Sequence, residues 1–281
     1  MKLVVLTIVL DGMPWITRFW PELEKLSFDW QWHVVEGVAA PDACTSWCRE
    51  QVPRLSEDGT TGYLDSIASF DPRVILHQKE LWHGKVAMVN EPLSRMTESC
   101  LLLQADSDEL WTAEQLTKLR KMFLAEPNKN AAYFRCRYRV GRGIEIVGHE
   151  CYGNQSSYEW LRAWRWEQWM KFKSHEPPVL ANLDGSPVPV NAFLHKETEE
   201  TGLVFRHEAW STEAQVRFKC DYYGSPASKE HGKDYEKGLE GWRKLQANRN
   251  WPVQELAEFL PWVGKGVKAN QTSELAKAED L

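Results

Sequence analysis

With 281 residues, 43% of them hydrophobic and 26% charged, the chain has enough material for one large domain or two small ones with a well-buried core, which excludes disordered and fibrous classes. A formal charge of -6, from 34 Lys and Arg against 40 Asp and Glu, provides no basic excess to grip a phosphate backbone and argues against nucleic acid as a partner. The six cysteines are dispersed, and no second Cys/His pair joins Cys44 and Cys48 at zinc-site spacing, so reduced thiols are expected.

Taken in chain order, Leu3 to Leu10 is a continuous apolar, β-branched run stopped by Asp11-Gly12, the pattern of a central strand covered on both faces. The run is far shorter than the ~20 residues that span a bilayer. It also lacks a signal-peptide shape, so a cytoplasmic protein with no transmembrane segment is expected. Pro14 opens a helix-period stripe of Ile16, Phe19, Leu23 and Leu26, and Trp32 to Val38 reads as a second strand. After an irregular stretch, Arg73 to His77 is a third. A stripe of Val86, Val89, Leu93 and Met96 leads to a fourth, Cys100 to Gln104. Alternating strand and helix predicts a doubly wound α/β sheet with helices on both faces.

Directly after that fourth strand stand Asp106, Asp108 and Glu109, followed by a helix with capping-box spacing at Thr112 and Gln115 and an apolar stripe of Leu116, Leu119 and Phe123. Ala131 to Val140 and Ile144 to Val147 read as two strands about Gly141-Arg142-Gly143. An aromatic, loop-rich region runs from 151 to 205. Leu203 to His207 is a further strand, Ser211 to Tyr223 a capped helix, and Gly238 to Ala247 and Val253 to Leu260 short helices. The expected division is 1–125 as an α/β half, 126–262 as an irregular, Trp-rich second half of the same domain, and 263–281 as a flexible tail.

Carboxylates at positions i and i+2 on a turn after a buried strand can face one hard cation, and Mg²⁺ or Mn²⁺ held there can bridge two phosphates. Open α/β sheets bind ligands at this strand end. The alternative is that the acids solvate a loop and favour the N-terminus of the next helix.

Three stretches carry a resemblance: Leu6 through Trp15, Gly84 through Asn90 with Leu101 through Trp111, and His207-Glu208-Ala209-Trp210 with Gln215 through Lys219 and Tyr222-Tyr223-Gly224. Over roughly 1–125 and 203–262 the chain resembles the nucleotide-sugar glycosyltransferases of the GT-A fold, of the family-2-like, D-x-D type. The resemblance implies a Rossmann-like central sheet and transfer of a sugar from a UDP- or GDP-type donor to a hydroxyl acceptor, a glycan or glycoconjugate, with Mn²⁺ or Mg²⁺. It implies nucleoside contacts at Leu10, Asp11 and Glu36, a ribose and metal role for Asp106, the firmer metal ligand at Asp108, and a metal-completing histidine at His207. Asp11 as a helix cap and His207 as an ordinary surface histidine remain the alternatives.

The general base that an inverting enzyme requires is not marked by a motif. Glu145, Glu159, Glu167, Glu176 and Asp184 are candidates, and Glu176 is preferred because His175 and Glu176 precede two prolines on an extended segment beyond a tryptophan cluster. Retaining chemistry, which needs no such base, stays open. Trp164 and Trp166 of that cluster, which share a face if the segment is extended, are with His175 the expected acceptor contacts, because an indole face stacks on a sugar; the alternative for some of these rings is core. Arg162 and Arg165 between the tryptophans suit cation–π packing or contact with a diphosphate. Lys85 and Arg95 flank the helix before the acidic motif and could touch phosphate, with solvated surface positions as the alternative. The rival readings are a sugar-phosphate nucleotidyltransferase, which would carry a Gly-rich basic loop where Asp11 to Trp15 has one Gly and no base, and a non-catalytic sugar-binding protein.

Overall fold

The computed structural model describes residues 1–43, 45–46, 48–147, 160–226, 228, 235–248, 253–260, 263 and 268–271. Glu159, Cys44 and Cys151, and the part of the expected tail from 272 on, lie outside the described residues. The chain forms two compact units: 1–45, 51–135 and 156–205 make the first, and 46–50, 136–155 and 206–281 the second.

The first unit is built on strand β1 (Leu3–Val9), helix α1 (Trp20–Glu24), β2 (Trp30–Ala39), α2 (Thr60–Phe70), β3 (Val74–Trp82), α3 (Lys85–Leu93), β4 (Cys100–Gln104), the two-residue β5 (Glu109–Leu110) and α4 (Ala113–Ala125). β4, β1, β2 and β3 lie side by side and parallel, in that order, the arrangement that alternating strands and helices predict. β6 (Ala131–Tyr133), β9 (Leu161–Trp166) and β12 (Ala192–Phe193) extend the sheet to seven strands, with β9 antiparallel to both β4 and β6. A short ribbon, β10 (Met170–His175) with β11 (Pro178–Asn182), turns over Glu176-Pro177.

Both faces of the central strands are covered. Val4, Leu6 and Val35 join Met88, Val89 and Leu93 of α3 in one core cluster with Trp164, Trp166, Phe172 and Leu180. On the opposite face, Trp32 packs against Phe19 with ring centroids 5.3 Å apart. Each fully buried aliphatic side chain in these layers stabilises the fold by about 1.5–3 kcal/mol. Thr112 caps α4 as its spacing predicts: its side chain accepts from the Gln115 N–H, and Gln115 reciprocates.

Two elements differ from the sequence expectation. β3 runs five residues beyond His77, to Trp82. Helix α2 begins within the stretch read as irregular; its cap position is Gly59, at φ 97, with no capping side chain to announce it.

In the second unit, β7 (Arg135–Tyr138) and β8 (Ile144–Val147) follow the Gly141-Arg142-Gly143 pattern, with Arg139 and Glu145 bridged antiparallel. After α5 (His195–Glu200) of the first unit and β13 (Val204–His207), the chain forms α6 (Glu213–Tyr223) with the expected Thr212–Gln215 capping box, and then α7 (Gly238–Ala247). Residues 253–255 form β14 rather than the start of a helix, and pair with β15 (Lys268–Gln271), a strand inside the stretch read as tail. The buried indole of Trp210 donates to the Tyr138 hydroxyl at 2.8 Å, and Trp242 donates to the Trp210 carbonyl at 2.8 Å, so these two tryptophans are structural.

Candidate active site at the carboxyl edge of the sheet

Register brings the site together. Val9 pairs with Glu36, and Leu6 pairs with both His33 and Gln104, so the chain leaves β1, β2 and β4 along one edge of the sheet. That edge is where a parallel α/β sheet presents its ligand-binding loops.

At the end of β1, Leu10 is half-buried and Asp11 adopts φ 54, the only left-handed non-glycine among the described residues. Such a backbone persists where its surroundings over-determine it. Here Arg54 grips the Asp11 carboxylate with two N–H groups at 3.1 and 2.5 Å, the Glu57 N–H adds a bond of 2.9 Å, and the Asp11 N–H donates to Ser56 Oγ at 3.0 Å. The hydrogen bond to Asp11 raises the Arg54 guanidinium above its ordinary value. On β2, level with the end of β1, Glu36 is fully buried and accepts from the Ser56 N–H at 3.2 Å, the Thr61 hydroxyl at 2.5 Å and the Gln78 amide at 2.9 Å. One loop, 54–61, therefore ties both strand ends, and Ser56 touches each carboxylate-bearing residue.

The acidic turn follows β4. The Glu109 N–H closes it on the Asp106 carbonyl at 2.9 Å. Asp108 and Glu109 are buried, whereas the Asp106 side chain keeps 31% exposure. Arg162, on the neighbouring β9, contacts the Asp106 carboxylate at 3.3 Å and Glu109 at 3.0 and 2.9 Å, with its guanidinium 4.7 Å from the centre of the Trp160 ring. Trp111 anchors the far end of the turn by stacking on Phe205 at 4.8 Å.

Beside the turn, the buried His175 ring lies 3.2 Å from the Gln104 amide, and Glu176, on the turn of the β10–β11 ribbon, pairs with Lys85 of α3 at 3.2 Å. Burial, reinforced by Lys85 and opposed by Asp106 and Glu176, pushes His175 down to about 4, so the ring is neutral at physiological pH. The expected residues Lys85, Asp106 and Glu176 thus each act electrostatically on His175.

Trp164 and Trp166 require correction. They are 2% and 0% exposed, Trp164 meets Phe172 edge-on at 5.5 Å, and the Trp166 indole donates to the Met170 carbonyl at 3.1 Å. Both are core, with no ring face left for an acceptor, because β9 is an interior strand of the sheet. The exposed member of the cluster is Trp169, at 53%. His207 ends β13 in the second unit, buried and edge-on to Tyr138 at 5.0 Å.

Among the described residues no group of three or more His, Cys, Asp or Glu side chains is placed to hold a metal ion. Mg²⁺-type ions are, however, commonly held by one or two carboxylates and completed by water and substrate phosphates. The hard oxygen donors of Asp106 and Asp108 fit that mode. Arg54, Ser56, Thr61, Gln78 and Gln104 escaped the sequence reading because their partners lie 20 or more positions away, where no local pattern marks them.

Among the described residues no helix is long and apolar enough to cross a membrane. No family model matches the chain, and no curated protein matches it. Solved structures similar to it include S. aureus TarS (12% identity, TM-score 0.42, covering 78% of this chain and 39% of that one) and a shorter TarS fragment in complex with UDP-GlcNAc (14%, 0.43, 78% and 65%). Another is the mannosyltransferase PcManGT from Pyrobaculum calidifontis in complex with GDP-Man and Mn²⁺ (14%, 0.44, 92% and 67%). This chain spans less than two thirds of the length of both TarS structures. At these TM-scores and identities the likeness carries no argument about what this chain does.

Proposed function

We propose that the protein is a metal-dependent glycosyltransferase of GT-A type that moves a sugar from a nucleoside diphosphate donor to a hydroxyl acceptor. One observation carries this reading: an acidic turn closes β4 on the same sheet edge at which Asp11 follows β1 and Glu36 of β2 lies level with the last residue of β1. A nucleoside diphosphate needs such a row, with polar groups for the nucleoside at one end and charge management for the diphosphate at the other. A nucleotidyltransferase would need an early basic phosphate loop, and β1 is instead followed by an aspartate already held by Arg54.

In this reading Leu10, Asp11 and Glu36 border the nucleoside, and the Arg54, Ser56, Thr61 and Gln78 contacts keep the two carboxylates oriented. Asp106 and Asp108 would hold Mn²⁺ or Mg²⁺; such an ion, when bound, would neutralise charge on a departing diphosphate. Lys85, at the start of α3, supplies a cation beside the same site. Glu176 is assigned as the base. Its carboxylate takes the proton of the acceptor hydroxyl as that oxygen bonds to the anomeric carbon, and the bond from that carbon to the diphosphate breaks with its electron pair leaving on the phosphate. The neutral His175 orients the acceptor rather than carrying charge. Inversion requires such a base and retention does not, so the anomeric configuration of the product tests the assignment of Glu176.

The reading as a whole is tested by thermal shift with UDP and GDP, each with and without Mn²⁺. A ligand at free concentration L that binds only the folded state stabilises it by RT ln(1 + L/Kd), so the melting temperature climbs with the logarithm of ligand concentration above Kd. One nucleotide is expected to stabilise the protein, more so with Mn²⁺, and Asp106→Asn is expected to weaken that effect. No shift with either nucleotide at millimolar concentration would sink the reading in favour of a sugar-binding protein.

A further inference from the structure

We propose that Arg162 is the counter-ion a divalent metal must displace at Asp106, so that one guanidinium sets the metal concentration at which the acidic turn loads. The inference rests on the metal role assigned above to Asp106. Arg162 comes from β9, whose Ala163 pairs with Leu103 of β4, so its side chain stands level with the last residues before the acidic turn. The two ends of its grip are unequal. Toward Glu109, both Nε and a terminal nitrogen reach a single carboxylate oxygen, at 3.0 and 2.9 Å, between side chains 6% and 0% exposed. Toward Asp106, one nitrogen reaches across 3.3 Å to a carboxylate that keeps 31% exposure. Glu109 and the face of Trp160 therefore anchor the guanidinium, and Asp106 is the exchangeable partner.

Three carboxylates within four residues repel one another, and a cation shared by two of them keeps the turn folded before any metal arrives. A dication on Asp106 then faces a fixed positive charge a few ångströms away and has to take over that carboxylate. A charge at about 4–6 Å biases a carboxylate by about one to three pKa units, so removing it should change cation affinity by about tenfold or more. Arg162 acts through Asp106 and is a positioning residue.

The test is direct Mn²⁺ binding, followed by titration calorimetry and by loss of the free-ion electron paramagnetic resonance signal, with the metal alone as probe. Removing Arg162 would strand the buried Glu109 charge, so the informative pair is Glu109→Gln against Glu109→Gln/Arg162→Met. In the first protein the guanidinium still faces Asp106, and in the second it is gone. The double variant is expected to bind Mn²⁺ about tenfold more tightly or better. Arg162→Lys in the native background keeps a charge on Glu109 but lacks the fork to hold two carboxylates, and is also expected to bind more tightly than wild type. A merely structural role for Arg162 predicts weaker binding in both, and equal or weaker binding overturns the proposal while leaving the metal reading intact. Absence of Mn²⁺ binding in every variant overturns both, whereas binding only after Arg162 is replaced supports the proposal in its strongest form.

Discussion

Glu36 shows how much a single buried carboxylate organises. It collects donors from Ser56, Thr61 and Gln78, so Glu36→Ala strands several groups, each costing about 1–3 kcal/mol when buried without a partner. Urea denaturation should therefore report a loss of about 3 kcal/mol, and Glu36→Gln, which keeps one acceptor oxygen, a smaller one. The tryptophans give a matching contrast. Trp164→Ala should cost about 3–5 kcal/mol as a core cavity, whereas Trp169→Ala, at an exposed position, should stay within about 0.5 kcal/mol. Equal losses in the two would contradict the assignment of Trp164 to the core. At this scale the sequence marks candidates where they sit in a short pattern: Asp106, Asp108 and the His175-Glu176 pair stand out from their neighbours. It was silent on Arg54 and Gln78, whose partners are 43 and 42 positions away, and it misjudged Trp164 and Trp166 because composition alone does not say which face of a strand is covered.

Two features of β2 and β3 make predictions at the level of the element. Between Glu36 and Val38 the pairing register with β3 slips at Gly37, which adopts φ 129. A Cβ there would lie 1.8 Å from the Lys79 carbonyl oxygen, so Gly37→Ala should cost several times the ordinary ~1 kcal/mol of a surface change and disturb the placement of Glu36. Retained stability in that variant would show that the slip is not required. Deeper in the same strands, His33 and His77 stack with ring nitrogens 3.1 Å apart. Burial, then His77, Lys2 and Arg95, pushes His33 down to about 4. Burial, then Arg95, with Glu91 opposing and Lys79 adding, lowers His77 as well. Both folded values lie below the unfolded value near 6.5, so the contribution of the neutral rings is complete above about pH 6.5 and is lost as pH falls toward about 4. Denaturation midpoints should fall across that window, and His33→Phe should flatten the decline; an unchanged slope would remove the pair from the account.

At the scale of the whole molecule, the parallel core was legible because β1 and β4 are unbroken apolar runs that only a strand covered on both faces accommodates. The extension through β9, β6 and β12 was not, since those strands are short, antiparallel in part, and interleaved with aromatic segments whose periodicity fits helix and strand alike. The chain's return from 156 to 205 into the first unit is a long-range pairing that no local pattern records. It brings Arg162 to Asp106, His175 to Gln104 and Glu176 to Lys85, and so the candidate site depends on a connection invisible in its own motifs. The central claim, metal-assisted cleavage of a nucleotide sugar at Asp106 and Asp108, is tested most directly by nucleotide release from UDP- and GDP-sugars with and without Mn²⁺, in wild type and Asp108→Asn. The account predicts release from one donor class that requires Mn²⁺ and disappears in the folded variant; release at the wild-type rate in Asp108→Asn, or none from any donor, would contradict it.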